Sequence, residues 1–154
     1  MRGQFVFEFL VAGIIFFIMV VYAINYLNMN VSDFGGKFYR NRLYSKAIQV
    51  SQVLMSGKSS LCIGEGWEFN TSRIRVFNET YCTPYGYKNL TRDLYLYETN
   101  EYGIFPNDVK IVLSNATDII IDCGMRIPRN ITKAEVTRVG LLEGETAKLT
   151  VIVW

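Results

Sequence analysis

Histidine is absent from the 154 residues. With it go the commonest general base, the commonest metal ligand and every Ser/His or Cys/His nucleophile pair. Cysteine is scarce: Cys62, Cys82 and Cys123 stand too far apart for a CxxC pair, and three thiolates without histidine make a poor zinc site. Carboxylates beyond Leu61 are few, and none are paired at a spacing that suits acid/base work. Charge is nearly balanced at +2, so no polycationic surface for nucleic acid is expected. Hydrophobic residues make up 50% of the chain, which excludes a disordered polymer. These deficits point away from an enzyme, a cofactor and a bound metal, leaving a membrane-tethered, carboxylate-dependent hydrolase as the enzyme class to weigh. The chain is one ordinary domain's worth of sequence. Its apolar residues are piled at the N-terminus, and its asparagines fall in a pattern that composition does not explain.

From Phe5 to Ile24 the sequence reads FVFEFLVAGIIFFIMVVYAI, with Glu8 the sole charge. A helix of that length spans about 30 Å, the hydrocarbon thickness of a bilayer. Apolar residues run all the way round it, which excludes a half-buried surface helix. A cleavable secretory signal is the competing reading. The run is too long for that, and Tyr22, Asn25, Tyr26 and Asn28 stand where a small-residue cleavage site would be. A retained membrane helix is expected.

The residues before this run are Met1-Arg2-Gly3, followed by Gln4 and, four further on, Glu8. A carboxylate in a spanning helix costs on the order of 2.5–3.5 kcal/mol if it reaches the bilayer centre. Near the helix N-terminus it is tolerated at the interface, which is the plain reading of Glu8. The combination of a short basic leader ending in glycine, a glutamate at the fifth position after it and a long apolar helix resembles a type IV prepilin. Gln4 at the first position after the leader is similar to the archaeal subclass, often written Gln-x-Ser-x-Glu-x-x-x-Leu. Val6 stands in place of the serine and Ala12 in place of the leucine, so the subclass pattern is met in part. The resemblance covers about the first thirty residues. It implies a leader of residues 1–3 cut between Gly3 and Gln4 by a membrane-embedded prepilin peptidase. It also implies that Glu8 meets the new α-amine of a neighbouring copy and fixes register in a helical array.

Past Ile24 polarity rises, and Gly35-Gly36 is the weakest helical point, at roughly 1 kcal/mol per glycine against alanine. Beyond it Leu43, Ala47, Val50 and Leu54 recur at i, i+4, i+7 and i+11, a single helical stripe. The spacing predicts one long helix over 4–57 with a kink at 35–36, or two helices joined there by a loop. From Leu61 the pattern alternates. Candidate strands are Trp67–Phe69, Arg73–Phe77, Asp93–Glu98, Val109–Ser114, Asp118–Asp122, Ala134–Leu142 and Lys148–Trp154, punctuated by Pro84, Pro106 and Pro128. Tyr95 and Tyr97 alternate with Leu94 and Leu96, the mark of a half-buried amphipathic strand rather than a carbohydrate platform. The expected fold class is α+β, a long N-terminal membrane-spanning and then amphipathic helix followed by an antiparallel, β-sandwich-like domain over 61–154.

Six Asn-x-Ser/Thr sequons occur, at Asn30, Asn70, Asn78, Asn89, Asn115 and Asn130, whereas composition predicts roughly 1.3. Five of them lie beyond Leu61, so that domain is expected to face the compartment where glycans are attached. This outweighs the opposite topological signal of Lys37, Arg40, Arg42 and Lys46. Outside the cell three cysteines allow one disulfide, in three pairings. Cys62–Cys82, the shortest loop, is favoured and is worth roughly 3 kcal/mol. A reactive Cys123 is the rival idea, without a basic neighbour in the sequence to activate it. The function expected from the resemblance is a pilin, a structural subunit of an archaeal type IV-like surface filament that serves adhesion or attachment. Its partners would be copies of itself, the peptidase, the membrane and glycans. The alternative is a single-span protein whose β domain works alone outside the cell, like an archaellum stator subunit or a surface-layer anchor.

Overall fold

A computed structural model describes the backbone of residues 2–100 and 103–154, with side-chain surroundings for 7–29, 36–97 and 107–154. The N-terminal element is a helix, α1, over Arg2–Leu54. Helical backbone continues through Gly35-Gly36, so the alternative of two helices joined by a loop is not what forms. Contacts divide the chain into residues 1–39 and a compact unit over 40–154.

Within the second unit the last turns of α1 are one wall of the core. Leu43, Ala47, Val50 and Leu54 are all buried, as their spacing requires. Full burial of each of the larger ones is worth about 1.5–3 kcal/mol. Opposite them lies a six-stranded sheet built from β1 (Gly64–Glu65), β2 (Glu68–Phe69), β5 (Val109–Ser114), β6 (Ile119–Gly124), β7 (Ala134–Leu142) and β8 (Glu145–Val153), in the order β1-β2-β7-β8-β5-β6. All pairs are antiparallel except β2 with β7, so the sheet is mixed; it curls into a half-barrel. β3 (Tyr97–Asn100) and β4 (Gly103–Pro106) form a separate antiparallel hairpin.

The sandwich expectation is corrected in this respect. The six-stranded sheet's inner face, from Val109, Ile111 and Leu113 through Leu149, Val151 and Val153, joins one core cluster with the α1 stripe. The second layer that a sheet requires is thus helical. Ser51 in that stripe is completely buried; its hydroxyl donates to the Ile48 carbonyl at 2.7 Å and accepts from Nε of Arg138 on β7 at 2.9 Å. At Gly140 the backbone of β7 comes so near the Trp67 carbonyl that an added Cβ would collide with it. That close approach, with the Leu141 N–H donating to the same oxygen at 2.8 Å, holds the short parallel pair.

Two further helices lie where strands and turns were expected. Arg73–Phe77 belongs to α2 (Thr71–Tyr81) and not to a strand. Its sequence alternates, but the buried residues Ile74, Phe77 and Tyr81 follow i, i+3, i+7, and the Asn70 side chain caps the helix by accepting from the Arg73 N–H at 3.1 Å. Residues 93–98 divide between the end of α3 (Gly86–Asp93), a turn and the start of β3. Leu94 and Leu96 are buried and Tyr95 is exposed, as the alternation implies, but a helix stop causes it. The Leu96 N–H donates to Thr91 O and the Tyr95 N–H to Arg92 O, both at 3.0 Å, a Schellman closure with Tyr95 in the left-handed position at φ 53°. Glycine is the usual occupant there, so Tyr95→Gly is expected to raise stability by about 1 kcal/mol. Urea unfolding checks this; a loss of stability would mean that the 86% exposed ring contributes to the fold after all.

Candidate functional site

The residues singled out by the sequence fall into three groups: the apolar helix with Glu8, the cysteines and the sequon asparagines. Phe7–Met29, 23 residues of α1, forms a segment long and apolar enough to cross a membrane, and none of its central window is buried. Phe9, Phe16, Phe17, Ile18 and Met19 project into open space with more than half of their surface accessible. An apolar helix of this kind is stable only in lipid or against other apolar helices. Glu8 is exposed near its start. Gly3, Gln4 and Asn30 lie outside the residues whose side chains are described.

The disulfide joins Cys82 to Cys123, which corrects the favoured Cys62–Cys82 pairing. Loop length alone ranked the pairings, whereas the fold packs the end of α2 against β6 and brings these two Cα atoms within 4.8 Å. Cys62 is a buried free thiol whose sulfur accepts from Nη1 of Arg73 at 2.8 Å. The basic neighbour missing around Cys123 in sequence is therefore found beside Cys62, eleven residues away along the chain. Next to them, Gly57, Lys58, Ser59, Ser60, Ser72 and Val76 complete an open cleft of about 410 Å³. Among the described residues no group of three His, Cys, Asp or Glu could hold a metal ion.

The sequons differ in their surroundings. Asn70 is exposed and caps α2; Asn89, on α3, and Asn130, between β6 and β7, are also exposed. Asn115 is half-buried at the β5–β6 turn, where its Oδ1 accepts from the Thr117 N–H at 3.1 Å, the Thr117 hydroxyl at 3.2 Å and the Asp118 N–H at 2.6 Å. Asn78, half-buried on α2, differs from these: its Nδ2 donates to the Ile120 carbonyl of β6 at 3.3 Å.

A half-buried polar contact at Tyr87 is likewise not legible in the sequence. The Tyr87 hydroxyl donates to Oδ1 of Asp108 at 2.8 Å and accepts from the Val109 N–H at 3.1 Å, tying α3 to the start of β5. Burial, together with the adjacent carboxylate, raises its pKa above that of ordinary tyrosine, so the proton stays on through the neutral range. No family model, curated protein or solved structure matches the chain.

Proposed function

We propose that the chain is a pilin-like structural subunit of a type IV-like surface filament. The apolar part of α1 bundles with that of other copies, and the half-barrel domain forms the outer wall. The observation that carries this reading is the division of labour along α1. Phe7–Met29 leaves its apolar surface uncovered on every side, whereas Leu43–Leu54 buries a single stripe in its own domain. A core-forming helix needs just such an uncovered surface, because every side of it meets another copy. The prepilin-like pattern at Arg2, Gly3, Gln4 and Glu8 supports the same reading, as does the surplus of sequons beyond Leu61. The chain itself supplies no catalysis. Before assembly the helix sits in the membrane, and afterwards it is shielded by its neighbours.

Mechanical shearing of intact cells tests this without detergent. The protein is expected in the sheared, sedimentable filament fraction, and its N-terminus there is expected to be Gln4 by mass spectrometry. Recovery in the membrane pellet alone would leave a single-span anchor carrying an independent surface domain.

A further inference from the structure

N-glycosylation replaces a hydrogen on one specific atom, the Nδ2 of asparagine. The carboxamide therefore has a reactive end and an inert end, and a fold can present either. In this domain the hydrogen-bond partners fix which end is presented, since a backbone N–H can only donate and a backbone carbonyl can only accept. At Asn70 the Arg73 N–H holds Oδ1, and at Asn115 the Thr117 and Asp118 N–H groups hold Oδ1. Both arrangements tie down the inert end and leave Nδ2 to face away from the backbone that anchors it. At Asn78 the polarity is reversed, with Nδ2 turned to the Ile120 carbonyl of β6.

We propose that the folded domain is glycosylated at Asn70, Asn89, Asn115 and Asn130, and that Asn78 is instead a structural latch, unmodified despite its sequon. The inference rests on the reading that this domain lies outside the cell. The transfer needs a phosphate-activated sugar and a separate transferase. Nδ2 attacks the anomeric carbon, the C–N bond forms as the C–O bond to phosphate breaks, the phosphate leaves with the electron pair, and one Nδ2 proton passes to the transferase's base. The second Nδ2 hydrogen could still serve the Ile120 carbonyl, so the obstacle at Asn78 is space: the attack would have to set a sugar on a half-buried nitrogen turned toward β6 from α2. β6 is one of the two edge strands of the sheet, and the Asn78 amide occupies one of its backbone acceptors. Leaving the side chain unmodified keeps that edge closed.

Removing the hydroxyl residue of a sequon abolishes modification without altering the asparagine, so three exposed positions make the test: Ser72→Ala for Asn70, Thr80→Ala for Asn78 and Thr132→Ala for Asn130. Each full-length variant is expressed in a host that glycosylates surface proteins, purified and weighed intact. Ser72→Ala and Thr132→Ala should each lower the mass by one glycan, and Thr80→Ala should change it only by the substitution. Site-resolved glycopeptides of the parent chain should show at least tenfold greater occupancy at Asn70 than at Asn78. Equal occupancy at Asn78, or loss of a glycan in Thr80→Ala, overturns the latch. A bare chain in every variant overturns both the sugar assignment and the glycosylated exterior. Glycans at the four sites on a protein confined to the membrane pellet would uphold the sites and sink only the filament.

Discussion

Breaking the Cys82–Cys123 bond, by reductant or by Cys123→Ser, is expected to lower the unfolding free energy of the 40–154 unit by about 4 kcal/mol. The bond closes a loop of sequence separation 41 that encloses α3, the β3–β4 hairpin and β5. Tethering so much chain reduces the freedom of the unfolded state, and the estimate scales with the logarithm of loop length. Domains of this size are stable by only about 5–15 kcal/mol, so the loss would be conspicuous. Urea titration followed through Trp67 and Trp154 fluorescence, with and without reductant, measures it directly. Cys62→Ser serves as the reference, since Arg73 keeps an oxygen acceptor there and no tether is cut. A larger loss from Cys62→Ser than from Cys123→Ser would restore the pairing that loop length favours.

The second large effect is expected at Glu8. In the filament reading Glu8→Ala should cut the yield of sheared filaments by more than tenfold while leaving membrane insertion and removal of Met1–Gly3 near normal. Among other apolar helices a carboxylate facing the α-amine of a neighbouring copy is a desolvated ion pair. Deleting one member of such a pair costs about 3–5 kcal/mol, because the other charge is left uncompensated. Glu8→Gln, which keeps the shape and removes the charge, should assemble as poorly. Filament counts by electron microscopy, alongside immunoblots of membrane and sheared fractions, decide the matter. Normal filaments from Glu8→Ala would make Glu8 an interfacial residue stabilised by the helix N-terminus and nothing more.

Where a long run of residues shared one environment, the sequence was easy to read. Leu43, Ala47, Val50 and Leu54 announce their helical stripe because a helix on a sheet buries one face without interruption. β5 and β7 form over the residues that the alternation predicts, Val109–Ser114 and Ala134–Leu142, because inner and outer faces alternate along them. In short elements local pattern and tertiary packing disagree. Arg73–Phe77 has the alternation of a strand, and the Asn70 cap and the buried Phe77 and Tyr81 override it. α3 is entered through Thr83, whose Oγ1 accepts from the Gly86 N–H at 3.0 Å just ahead of Pro84, but Thr-Pro followed by Tyr-Gly reads as readily as a turn. Its stop is equally obscure, since tyrosine occupies the place where glycine would signal it. At the site, the uncovered helix and the sequon asparagines could be named from sequence. The disulfide partners and the reversed amide of Asn78 could not, because each depends on α2 lying beside β6, a contact between segments some forty residues apart.

The order of strands in the sheet also bears on how the chain comes to be folded at all. β8 is the last of these elements to be synthesised, yet it occupies the middle of the sheet, paired along one edge with β5 and along the other with β7. Until its nine residues have left the ribosome, β5 has no neighbour on that side and the long strand β7 has little to pair with beyond the two residues of β2. The sheet therefore closes in a late step, governed by contacts between distant parts of the chain, which are slow to form. A polypeptide that must be threaded through a narrow channel profits from such a delay, because nothing upstream can lock prematurely into a compact plug. In the filament reading, where the domain is exported, placing the keystone strand last lets closure of the sheet follow export rather than precede it.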